Sequence, residues 1–224
     1  MLNFEISGPL SDQVASSLVV VVLLSIAIIL IGMKVGKLKA TDTPKGLVLV
    51  MVMFFEAVQN MIVEHFPGKK LKMFGPYLIA VLLYLMFANT VALIGLKTPL
   101  SNAGVAACFS LTTYFMLRFA NLKFKGIKQK LRDFLGQIWY MFPIMIPINL
   151  IGEFSTPLTM GLRLFGNMVS GMVISAMIYA VLNWALGIFA GVFLHIVFDI
   201  FFGVIQAFVF FMLSVVNISM ATEK

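Results

Sequence analysis

Cysteine is almost missing from this sequence: Cys108 stands alone among 224 residues. A lone thiol forms no intrachain disulfide, so the redox environment leaves no record here. Histidine is nearly as scarce. His65 and His195 fall in different segments, which excludes a Cys/His metal centre, and no metal is expected. There is no glycine-rich phosphate loop, no P-loop lysine, and no serine, histidine and acid spaced for nucleophilic attack. The chain therefore reads as non-catalytic by itself and in need of no cofactor. Charge is thin as well, at 11% of residues against about 25% in an ordinary soluble domain. Internal repeats are absent, which weighs against a secondary transporter built from inverted halves.

What the chain has instead is apolar length. Hydrophobic residues make up 61% of it, and the mean hydropathy is +1.05. This composition predicts an all-α polytopic membrane protein forming a single integral-membrane domain. The formal charge of +7 invites a nucleic-acid reading, but its distribution excludes one. The basic residues cluster in short loops between apolar segments, the mark of membrane topology.

Residues 14–33 form a first span, long enough for a hydrocarbon core of roughly 30 Å. The preceding "MLNFEISGPLSDQ" holds Glu5 and Asp12 but no Lys or Arg, so it lacks a signal peptide's basic start and the span is expected to be permanent. Lys34, Lys37, Lys39 and Lys45 follow. The next apolar run, 46–64, ends in Lys69, Lys70 and Lys72, and as a span it would put the two basic clusters on opposite sides. It also carries Glu56, Gln59, Asn60 and Glu64 as one polar stripe. These features predict an interfacial helix on the cytoplasmic side. Spans at 75–96 and 103–119 flank the lone Lys97, and the loop 123–133 adds Lys123, Lys125, Lys128, Lys130 and Arg132. The N-terminus is thus expected outside and the basic loops and C-terminus inside. About five spanning or tilted helices result.

In residues 134–218, Pro143, Pro147 and Pro157 are expected to interrupt helix formation. Two long apolar segments then make a hairpin, the last running from 185 to 218. At 1.5 Å per residue that is about 51 Å, so it must tilt, kink or project.

The hairpin carries the polar residues that need explaining. Arg163 sits inside an apolar segment, where a central arginine costs roughly 2.5–3.5 kcal/mol. Asn167 and Ser170 follow at four and seven residues and share its helical face. His195, Asp199 and Gln206 share one face of the final segment. Facing each other, the two stripes would form a narrow polar seam. A structural alternative stays open, in which Arg163 locks onto Asp199 or Glu153 and Asn167 and Gln206 act as interhelical glue. Met172 reads as packing, and Gly161, Gly166 and Gly171 as points of close helix approach. A stand-alone proton-coupled transporter is the main rival, with Arg163 and Asp199 holding a substrate anion and the proton.

"MGLRLFGNMVSG", followed some forty residues later by "GVIQAFVFFMLSVVN", closely resembles the a subunits of F-type ATP synthases. "MFANTVALIG", "KTPLSN" and "PINLIGEFSTPLTMGLR" support the match over most of the chain. The resemblance implies a stator ion-channel subunit of the membrane sector, in a cell inner membrane of bacterial type. Its partners would be a ring of c subunits, each with a membrane carboxylate, and b-type peripheral stalk subunits, within membrane lipid. It implies that Arg163 faces the ring and that Asn167 and Gln206 belong to the relay. Two positions depart from the pattern: Met172 stands where many members carry Glu, and Asp199 where some carry His. The carboxylate has changed helices within one half-channel. Asp199 and His195 are thereby assigned to an external half-channel, lined further by Ser170, Asn89 and Ser110. Glu153 and Asn149 become candidates for the cytoplasmic exit.

Overall fold

The computed structural model describes residues 12–37, 46–65, 69–94, 97–124, 142–182 and 184–222. Every regular element among them is helical. That follows from the solvent: hydrocarbon satisfies no backbone group, so each segment closes its hydrogen bonds internally. Among the described residues, six helices are long and apolar enough to cross a membrane. The multi-pass architecture is therefore plain, although most of the basic loop and the start of 134–218 lie outside the described residues.

Helix α1 (Asp12–Gly36) is apolar nearly all round, and Leu18, Val22, Ile26 and Ile29 remain exposed for lipid to cover. Helix α2 (Leu47–His65) buries Val58 and Ile62, one turn apart, and presents Glu56, Gln59, Asn60 and Glu64 outward. Helix α3 (Lys69–Thr90) is the hub. Its Phe74, Leu78 and Leu85 are fully buried, in one core with Phe211, Val215 and Ile218 of α7 (Gly203–Thr222). Helix α4 (Ala103–Phe124) opens on an N-cap, where Asn102 Oδ1 accepts the Gly104 N–H at 2.8 Å. Tyr84 of α3 stacks on Phe109 of α4, centroids 4.5 Å apart.

The third helix starts at Lys69 rather than 75 and yields to a 3-10 turn (Val91–Ile94) rather than running to 96. An apolar window finds the hydrocarbon-spanning part only, whereas lysines extend a helix readily into the interface.

The prolines do not interrupt the next helix. Helix α5 (Phe142–Val181) is continuous over 40 residues, about 60 Å at 1.5 Å each. Pro143 sits in its first turn, where no N–H is required. Around Pro157, hydroxyls bind the backbone: Thr156 Oγ1 donates to Gly152 O at 3.0 Å, and buried Ser110 of α4 donates to Pro157 O. Membrane helices tolerate proline where hydroxyls and neighbouring helices bind the backbone around it, and these two bonds brace the turns on either side of the Glu153 carbonyl that Pro157 leaves without its helical donor. Close packing of α4 on α5 makes the Ser110 bond possible. A Cβ on Gly161 would lie 3.3 Å from Ser110 Cβ.

The final segment is longer than expected and changes its winding. Helix α6 (Trp184–His195) passes without a break into a π-helical stretch (Ile196–Phe202) and then into α7. The wider π turn sits where Asp199 projects.

Candidate functional site

Helices α5 and α6–α7 run antiparallel, and three contacts set their register. Asn167 meets Gln206, Gly171 packs on Phe198, and Gly191 packs on Tyr179. The first is a hydrogen bond, Asn167 Nδ2 to Gln206 Oε1 at 2.7 Å. Gln206 is 5% exposed, and its Nε2 is buried without a protein partner.

Arg163 stands one turn before Asn167 on an exposed face of α5. The row at four-residue spacing reads Ile151, Ser155, Thr159, Arg163, Asn167, and all but Ile151 are polar. Among the described residues Arg163 has neither an ion-pair nor a hydrogen-bond partner. The two carboxylates that could have taken it are engaged elsewhere. Asp199 Oδ2 lies 2.6 Å from His195 Nδ1, one turn back on its own helix. Glu153 pairs with Arg118 of α4, whose guanidinium also lies 4.7 Å from the centre of the Tyr114 ring.

The register fixes the levels of these groups. Glu153 is ten residues before Arg163 on α5, about 15 Å along the axis. Asp199 follows Phe198, which packs at Gly171, eight residues beyond Arg163 and so about 12 Å the other way. A carboxylate thus stands on each side of the exposed Arg163, one ion-paired with Arg118 and one bonded to His195, while Arg163 has no partner among the described residues.

A family model described as ATP synthase A chain matches residues 14–219. The chain belongs to the ATP synthase A chain family.

Relatives span several bacteria. An ATP synthase subunit a 2 of Chlorobaculum tepidum is 27% identical, covering 98% of this chain and 66% of the relative. An ATP synthase subunit a of Solidesulfovibrio magneticus is 28% identical over 95% of this chain and 87% of its own length. An ATP synthase subunit a 1 of Syntrophotalea carbinolica is 27% identical over 99% and 90%. The chain thus spans about two thirds of the first relative and most of the other two.

Within this family member, the remaining site residues fall into two groups. Asn89 and Ser110 are buried, each 1% exposed, and their donors bind backbone: Asn89 Nδ2 reaches Gly203 O at 2.7 Å, and Ser110 reaches Pro157 O. Both residues stitch helices together. Ser170 is exposed beyond Asn167, Asn149 is half-buried one turn before Glu153, and Met172 is 47% exposed. Of the three glycines, Gly161 and Gly171 are close-approach points, whereas a Cβ on Gly166 would meet nothing within 4 Å.

Three features were missed in the sequence. Arg118 is an arginine inside the apolar run 103–119, so the rule that singled out Arg163 applies to it equally. Ser155 and Thr159 were visible as a four-residue repeat ending at Arg163. Gly203 gave no signal by itself; a Cβ there would sit 2.8 Å from Asn89 Cβ.

Proposed function

We propose that this chain is the stationary ion-conducting subunit of a rotary ATP synthase membrane sector. Arg163 stands between two half-channels and faces the membrane carboxylates of a ring of c subunits. The observation that carries this reading is the Arg163 guanidinium, without a partner among the described residues, between two carboxylates that bond elsewhere. An arginine cannot release its proton, so it acts as a fixed charge rather than a relay. At about 4 Å and an effective dielectric of about 20, it attracts a carboxylate by roughly 4 kcal/mol. That favours the ionised ring carboxylate at this one angle of rotation and makes it release its proton. A permanently paired Arg163 could not do so.

Protons enter past His195 and Asp199, load a ring carboxylate, travel round in lipid, and leave on the Glu153 side. Gln206 and Asn167 bridge the helices beside the arginine, with Ser170 further toward the entry. On the exit side, exposed Ser155 and Thr159 offer hydroxyls between Arg163 and the level of Glu153 and Asn149. Each charge crossing about 100 mV supplies about 2.3 kcal/mol, so several crossings support one ATP. ATP chemistry resides in other subunits. The basic clusters favour an external N-terminus and a cytoplasmic C-terminus in a bacterial inner membrane, with α2 along the cytoplasmic interface and b-type stalk subunits beside the chain.

The deciding experiment is ATP-driven proton pumping in inverted vesicles, comparing wild type with Arg163→Ala at matched assembly. Loss of pumping with ATP hydrolysis retained is expected. Pumping at the wild-type rate would make Arg163 structural and end this reading.

A further inference from the structure

An apolar furrow beneath α1 takes no part in the ion pathway. Its larger chamber, about 600 Å³, lies between Ile28 of α1, Phe55 and Gln59 of α2, and the Lys72 end of α3. A second chamber of about 330 Å³ continues toward Val21, Tyr84 and Phe109. Both are walled by Ile28, Ala80 and Leu83, so they adjoin along α3. From Lys72 to Tyr84 is twelve residues, about 18 Å of helix. One leaflet of a hydrocarbon core is about 15 Å deep. The furrow is one leaflet long.

Its polarity is one-sided. The hydroxyls along the wall bond within the protein: Ser25 to Val21 O at 2.8 Å, Tyr77 with Thr113 at 3.0 Å, and Tyr84 with Ser17 at 2.6 Å. The interior therefore offers hydrocarbon contact. Lys72 and Gln59 stand at one end, both exposed. Ser17 bonds Tyr84 while Ile28 lies beside the Lys72 end of α3, so α1 runs antiparallel to α3 and brings Lys34 to the same end, within about 8 Å of the Lys72 level. Glu56 and Glu64 of α2 are exposed but do not line the furrow. An apolar slot with cations at its mouth matches a lipid with an anionic head.

We propose that this furrow binds one anionic phospholipid, its phosphate against Lys72 and its acyl chain under α1.

The test uses the assembled membrane complex in phosphatidylcholine vesicles containing a trace of photoactivatable phosphatidylglycerol, labelled in the acyl chain. Labelling should concentrate on α1 and α3 near Ile28 and Ala80. Lys72→Gln should lower it about fivefold, the worth of one lysine at an anionic surface. Ala80→Trp, which fills the slot, should abolish it while Lys72 remains. Photoactivatable phosphatidylcholine, compared on the wild-type complex so that no variant is needed, should label this position about fivefold less. Equal labelling by the two lipids would overturn the proposal. So would labelling indifferent to Lys72→Gln, or labelling of the isolated chain that disappears on assembly, which would assign the furrow to a partner subunit.

Discussion

Asn167 on α5 donates a 2.7 Å hydrogen bond to Gln206 on α7, and this bond ties together the two helices that carry the charged groups. Hydrogen bonds between membrane helices average about 0.6 kcal/mol and reach about 1.7. Asn167→Ala should therefore lower stability modestly, with an added penalty because Gln206 is left buried without its partner. In a double-mutant cycle with Gln206→Leu, the paired replacement should recover most of that loss. Additive losses in thermal unfolding of the assembled complex would refute the coupling.

Asp199 is held by His195 at 2.6 Å. Asp199→Asn keeps a hydrogen-bonding group of the same shape and removes the charge. Proton flux should fall about tenfold or more with assembly intact, an effect within the range of positioned proton-transfer groups. His195→Ala should slow it less. Passive flux through the stripped membrane sector is the measurement, and a wild-type rate in Asp199→Asn would remove that residue from the relay.

Replacing Arg163 by lysine keeps the charge but exchanges a planar fork for a strongly hydrated point charge. Coupling should fall about tenfold or more while ATP hydrolysis persists. Pumping equal to wild type, read beside Arg163→Ala, would mean that charge alone suffices.

The Arg118–Glu153 pair is about four-fifths buried on both sides. Removing one partner of a buried pair costs about 3–5 kcal/mol, less here because some water reaches both groups. Arg118→Met should destabilise the chain sharply, and Arg118→Met with Glu153→Leu should restore much of the loss. A double variant as unstable as the single one would show that the pair contributes more than charge compensation.

Gly203 and Gly166 should respond oppositely to alanine. At Gly203 the new Cβ would lie 2.8 Å from Asn89 Cβ, which is fixed to its backbone and cannot swing aside. Overpacking costs about 1–3 kcal/mol, and the Asn89 bond to Gly203 O would be strained as well. At Gly166 nothing stands within 4 Å, so helix propensity should favour alanine by up to about 1 kcal/mol. Thermal stability of the detergent-solubilised chain distinguishes them. Equal effects would contradict the packing described.

Much of this was readable in advance because lipid imposes simple rules. Apolar length located the helices, and the cost of burying charge directed attention to Arg163, His195 and Asp199. Proline was misjudged because its effect depends on what stands beside it: Ser110 lies 47 residues from Pro157 in sequence and meets it through α4–α5 packing. The partner of Glu153 was hidden for the same reason. Periodicity placed His195, Asp199 and Gln206 on one face by assuming α geometry throughout, which a π stretch does not obey. Asn89 was legible as polar, but its engagement with Gly203 depends on how closely α3 and α7 approach.

The π stretch gives the last helix a phase as well as a length. Each residue of an α-helix advances about 100° around the axis. A π turn holds more residues than an α turn, so Ile196–Phe202 winds through less rotation than the same residues would as an α-helix. Rewound as α-helix, the stretch would swing His195 and Asp199 round the axis relative to Gln206. Every polar side chain named above would remain and their alignment would be lost. In this segment the winding decides what faces the seam as much as the residues do.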